Sequence, residues 1–215
     1  MSGKIGYAAV LLIAIISIAV ATYFLMPETK AESFDIDMFE VDNGNDNGRS
    51  FTVEESDIGY GNELGAWALL QLSPSYSFGV KFNNITIPKN ATIKNVYIEL
   101  YSIGTPKHDR PNCRIYCDKN DSIANFSEMG VLDICGRIYT NNSVRWNATA
   151  PYGEWVKTPS LKQPFEEILN GANWTSGNSI AFLFVSQGYI GYSASFRNYE
   201  SGSSPRLYIE WKSND

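Results

Sequence analysis

Two rhythms of hydrophobic and polar residues run along this chain, and they change over near residue 30. From Ile5 to Met26 the residues are apolar without a single charged side chain. At about 1.5 Å rise per residue a helix of that length reaches roughly 33 Å, enough to cross the hydrocarbon core of a bilayer. Lys4 precedes the run, and Glu28, Glu32, Asp35 and Asp37 follow it. That asymmetry favours a cytoplasmic N-terminus and an exported remainder. The expected organisation is a cytoplasmic stub over 1–4, a transmembrane signal-anchor over 5–26, a linker over 27–33 and an extracellular domain over 34–212. Ala19-Val20-Ala21 has the small-x-small pattern of a cleavage site, so secretion after leader removal is the alternative. A pilin-type leader fits less well, because Ile5-Gly6-Tyr7 offers no charged residue beside a cleavage point.

Beyond the leader the period becomes two. Phe34-Asp-Ile36-Asp-Met38 alternates apolar and acidic residues, as a half-buried strand does. Further strands are predicted at 67–72, 78–82, 93–102, 113–118, 144–147, 155–157, 179–185, 194–197 and 207–211. Clusters such as Ile87-Pro88-Lys89-Asn90 and Glu200-Ser-Gly-Ser-Ser-Pro205 separate them. Many short strands at this spacing predict an all-β antiparallel sandwich. One short helix interrupts it: Ser160 as N-cap with Gln163 in a capping box, Leu161, Phe165, Ile168 and Leu169 on one face, and Gly171 at the end. Pro164 falls in the first turn, where its missing N–H is harmless.

Composition places this domain outside the cell. The chain has net charge −6 and no Lys/Arg-rich block, so nucleic-acid binding is not expected. Asn-x-Ser/Thr sequons stand at Asn84, Asn90, Asn120, Asn125, Asn141, Asn147 and Asn173, the pattern of a glycosylated surface protein. Cys113 and Cys117 on one extended strand point to the same face about 13 Å apart, too far to bridge. A disulfide would therefore join Cys135 to Cys117 or Cys113, with Cys117–Cys135 the expected pair and three buried free thiols the alternative. Zinc would need a fourth ligand, and His108 is the sole histidine.

The segment Val80-Lys-Phe82-Asn-Asn-Ile85-Thr-Ile87-Pro88-Lys-Asn-Ala91-Thr-Ile93-Lys-Asn-Val96-Tyr-Ile98 resembles a motif of secreted jelly-roll modules. These belong to the disaggregatase-related, carbohydrate-binding-module-like group of archaeal and bacterial surface proteins. Ser143-Val-Arg-Trp146, Glu154-Trp155, Thr158-Pro-Ser-Leu161, Trp174-Thr-Ser-Gly177 and Phe196-Arg197 through Trp211 extend the resemblance across roughly Phe34 to Trp211. It implies a jelly-roll-like fold used for binding, adhesion or scaffolding, and carries little information about chemistry. A solitary module and the three cysteines depart from the family's usual pattern.

Two constellations are candidate sites. Asp42, Asn43, Asn45, Asp46, Asn47 and Glu54 gather oxygen ligands around turn glycines, which suits calcium; Asn43-Gly44 and Asn47-Gly48 are equally hairpin-turn signals. Tyr152, Trp155, Tyr189, Tyr192 and Tyr199 are the candidate sugar-stacking residues, while Trp146 is as well suited to the core. No Ser–His–Asp or paired-carboxylate motif stands out. The expectation is a non-catalytic, membrane-anchored binding or adhesion module for polysaccharide. The alternatives are a structural subunit of a surface layer or filament, self-associating or held by another surface protein, and a glycan-degrading enzyme or its accessory subunit.

Overall fold

The computed structural model describes residues 32–42, 47–51, 70–73, 76–103, 112–120, 123, 126, 133–147, 149–187, 194–199 and 201–214, without the side chains of 47–51, 133 and 135. The chain divides into two units, Met1–Ser33 and Phe34–Asp215. The 5–26 run lies outside the described residues, among which no helix is long and apolar enough to cross a membrane. The second unit is mostly β-strand in antiparallel sheets, an all-β sandwich.

One sheet has four strands: β1 (Asp35–Glu40), β11 (Arg206–Lys212), β5 (Thr92–Tyr101) and β8 (Trp155–Lys157), in that order. The other has five: β2 (Asn47–Phe51), β4 (Tyr76–Ile85), β9 (Asn178–Ser186), β6 (Asn112–Cys117) and β7 (Val144–Asn147). A small pair, β3 (Leu70–Leu72) with β10 (Ala194–Phe196), completes the set. The period-two reading located each of these except β2. Asn47 and Gly48, expected at a turn, instead pair with Val80 and Gly79 of β4.

The two sheets share one core. Val96, Ile98 and Leu100 of β5 and Leu207 and Ile209 of β11 belong to the same buried cluster as Phe78, Val80 and Phe82 of β4 and Ile180, Phe182 and Phe184 of β9. Phe78 stacks on Phe184 with centroids 4.3 Å apart. Burying one such ring contributes roughly 1.5–3 kcal/mol. Trp146 joins this core, stacked on Phe196.

The five-stranded sheet is also covered on its outer face, by Phe126 and Ile134 against Ala181 and Leu183. This explains why Ser179–Val185 is almost wholly apolar where a sheet wetted on one side would alternate. Ile134 belongs to α1 (Asp133–Gly136), a helical turn the pattern did not announce. Beneath it Arg137 meets Asp118 at 2.8 Å with both side chains buried, and its guanidinium lies 4.0 Å from the Phe126 ring centroid. Gly79 lets Phe126 reach the sheet, since a Cβ there would stand 2.3 Å from the ring.

Cys113 and Cys117 both face the shared core and are free thiols; burial pushes both thiols up, well beyond the physiological range. The five-stranded sheet stands between Cys117 and the helical turn carrying Cys135. This geometry does not offer the expected Cys117–Cys135 pair, although the Cys135 side chain lies outside the described residues.

The longer helix, α2 (Lys162–Leu169), buries Pro164, Phe165 and Leu169 as its apolar spacing requires. The capping box is absent. Leu161 occupies the N-cap without a side-chain hydrogen bond; its own N–H is held by Val96 O at 2.7 Å, and Ser160 stays outside the helix. On the exposed side Glu167 accepts the backbone N–H groups of Asn141 and Asn142, both at 2.9 Å, and Lys119 Nζ at 3.0 Å. Burial alone would raise this carboxyl, but those donors outweigh it and lower it to about 2.

Two stability measurements follow. Gly79→Ala should destabilise the domain by about 1–3 kcal/mol in urea unfolding, because the β4 backbone and the Phe126 ring must part. Glu167→Gln should cost about 1–2 kcal/mol at pH 7. Its carboxyl is depressed in the folded state, so the stabilisation is complete above the ordinary carboxyl range near 4.5 and lost as pH falls toward 2. The gap between variant and wild type should therefore close over that acidic window.

Candidate functional site: an open aromatic face

Unlike its partner, the four-stranded sheet has an outer face with no cover among the described residues. Alternation along β5 sends Ile98 and Leu100 inward and Tyr97, Glu99 and Tyr101 outward. Register then builds rows across the strands. Glu40, Arg206, Glu99 and Lys157 are successive partners, so charges alternate in sign along one row. Opposite charges facing each other across strands stabilise the pairing. One row away lie Met38, Tyr208 and Tyr97, and on the other side Tyr101 faces Trp155.

The aromatic rings stand in contact with these cations. Tyr97 and Tyr208 stack at 4.9 Å, and Lys157 Nζ lies 3.0 Å from the Tyr97 centroid. Tyr101 meets Trp155 edge-on at 5.5 Å; Arg206 Cζ sits 4.1 Å over Trp155 and Arg197 Cζ 5.0 Å over Tyr101. Arg206 also donates to Glu40 at 2.7 Å. Burial, with the neighbouring Glu99 carboxylate that accepts its hydroxyl, raises the Tyr208 phenol, so at neutral pH it remains a donor.

Among the sequence-predicted residues, Trp155 belongs to this face, and Tyr152 stands in the turn beside it. There Gly153, at φ +77, donates its N–H to Ser102 O at 2.8 Å. Tyr152 is 62% exposed, and Tyr199, two residues past Arg197, is also exposed. Tyr189 and Tyr192 lie outside the described residues. The face presents ring edges, three cations and two carboxylates, and Tyr152 and Tyr199 are exposed to solvent. Tyr97, Tyr101 and Tyr208 were not singled out in the sequence. Alternation along β5 put the first two on one face, but their meeting with Tyr208 depends on register.

Two of the six expected calcium ligands, Asp42 and Asn47, lie among the described residues. Asp42 accepts from Asn83 Nδ2 at 3.0 Å and Asn47 begins β2, while Asn43, Asn45, Asp46 and Glu54 lie outside the described residues. Among the described residues no group of three His, Cys, Asp or Glu side chains could hold a metal ion.

The sequons gather at one end of the sandwich. Asn84 is the penultimate residue of β4, Asn90 lies in the turn to β5, Asn141 precedes β7 and Asn173 precedes β9; all four are exposed. Asn120, just past β6, is half-buried with its amide donated to Asp118 at 2.7 Å. Asn120 and Asn173 line a cavity of about 180 Å³ together with Lys119, Glu167 and Trp174. Asn147 is exposed at the opposite end of the sheet, and Asn125 lies outside the described residues.

No protein-family model matches the chain, and no curated protein matches its sequence.

Proposed function

We propose that this chain is a membrane-anchored extracellular module, non-catalytic, that binds polysaccharide on the outer face of its four-stranded sheet. The reading rests chiefly on one contrast. The central strands β4 and β9 of the five-stranded sheet are covered on both faces, whereas the four-stranded sheet leaves Tyr97, Tyr101, Trp155 and Tyr208 partly exposed beside Tyr152. Flat rings serve the apolar side of a pyranose, and Arg197, Arg206 and Glu99 are placed to bond hydroxyls. To stack on Trp155 a sugar must displace the Arg206 guanidinium, which then becomes a donor to that sugar.

The apolar run 5–26, Lys4 before it and the exposed sequons support the anchor and the extracellular side. The jelly-roll resemblance supports the finer fold and the ligand class, and calcium near Asp42 is part of the same proposal. A structural role is the second reading. It is favoured by Ile36 and Met38, exposed on the edge strand β1 beside Tyr208.

The test is binding of the full chain to a polysaccharide panel with and without EDTA. Saturable binding to one glycan class is expected, weakened about fivefold to tenfold by Tyr152→Ala or Trp155→Ala. Loss in EDTA would assign calcium. Binding unaffected by both substitutions would move the site off this face, and no binding to any polysaccharide would sink the reading.

A further inference from the structure

Register places two like charges side by side on the outer face of the five-stranded sheet. Arg114 of β6 and Arg145 of β7 are direct cross-strand partners. Cys113 and Ile115 point into the core, so Arg114 points away from it, and directly paired residues share a face. Both arginines are exposed. Arg114 donates to Ser143 Oγ at 3.1 Å, while Arg145 has no ion pair, hydrogen bond or ring contact. Among the described lysines and arginines Arg145 is alone in this. Arg206, Arg137, Lys94, Lys119 and Lys162 each face a carboxylate. Like charges directly opposite destabilise a sheet, and among the described residues no carboxylate forms an ion pair with either arginine.

A second observation lies two residues along the same strand and on the same face. Asn112 is 7% exposed, and its Oδ1 accepts no hydrogen bond. A buried acceptor without a donor is costly, and buried polar groups are otherwise almost always partnered. The patch therefore wants an anionic group against two guanidinium forks and an O–H or N–H donor beside it. A sugar acid carries both, with its carboxylate or sulfate and its hydroxyls on neighbouring carbons.

We propose that Arg114, Arg145 and Asn112 form a subsite for the acidic sugar unit of a uronate-bearing or sulfated polysaccharide. The anion site stands on the geometry, and the sugar rests on the polysaccharide reading above. Asn147, the cross-strand partner of Asn112, is the sequon beside this patch, so its own glycan needs a control.

The experiment measures binding of the full chain to dextran sulfate, polygalacturonate and neutral dextran at about 50 mM salt, where surface charge is weakly screened. Both acidic polymers should bind, with at least about tenfold loss in the double variant Arg114→Ala/Arg145→Ala. Asn112→Asp should lose binding similarly, because a fixed carboxylate would occupy the guanidiniums. Asn147→Gln should bind no less than wild type. Acidic-polymer binding unchanged in the double variant, or lost in Asn147→Gln, would overturn the assignment. So would a self-associated wild type that the double variant dissolves, which would make the pair a contact between copies. Binding of dextran without either acidic polymer, or of none of the three, would remove this inference, and the wider polysaccharide panel then decides the polysaccharide reading.

Discussion

Strands β4 and β9 bury both of their faces, and that obligation organises the domain. A sheet wetted on neither side needs two covers. The four-stranded sheet supplies the inner one, while Phe126, α1 and the buried Asp118–Arg137 pair supply the outer. The outer cover is thin, and it reaches the sheet because Gly79 leaves room for a ring. An ion pair sealed beneath it costs desolvation that good geometry must offset; losing one partner from such a pair costs about 3–5 kcal/mol. Covering β4 and β9 twice leaves the other sheet's outer face as the large patterned surface among the described residues.

That surface is ordered by its own side chains. Alternating charges on neighbouring strands hold one another, and the same cations lie against the aromatic rings on either side. Cation–π contacts of this kind contribute about 0.5–1 kcal/mol at exposed sites, weak enough for a ligand to exchange. The rings are held upright without being permanently covered. On the opposite sheet no carboxylate among the described residues pairs with Arg114 or Arg145. The two faces therefore differ in chemistry, one built of rings and paired charges, the other marked by two adjacent like charges.

Much of the architecture was legible in the sequence because period two survives wherever one side of a strand is polar. Strands β1, β5 and β11 alternate and were located closely. β9 was also found, although its alternation is lost to double burial, because flanking turns bounded an apolar run. β2 escaped because Asn47-Gly48 carries the strongest hairpin-turn signature while sitting beside β4 as a strand. The helix was located by its apolar face, but the cap was misassigned: the Leu161 N–H is held across by Val96, so the chain enters the helix without Ser160. The site was legible only where residues cluster in sequence, as Tyr152 and Trp155 do. Tyr97 against Tyr208, and Arg114 against Arg145, are facts of register between strands 111 and 31 residues apart, and no local pattern announces them.

The pairing of Asp35 with Trp211 puts the start of the first strand and the end of the last at the same edge of one sheet. Tension between those two points peels β1 from β11, breaking the ladder one hydrogen bond at a time. Tension directed along β1 against β11 loads all six residue pairs of that ladder together, in shear. The same contacts thus yield readily to a pull between the ends of β1 and β11 and resist one directed along the ladder, so the domain's mechanical strength depends on where the load is applied.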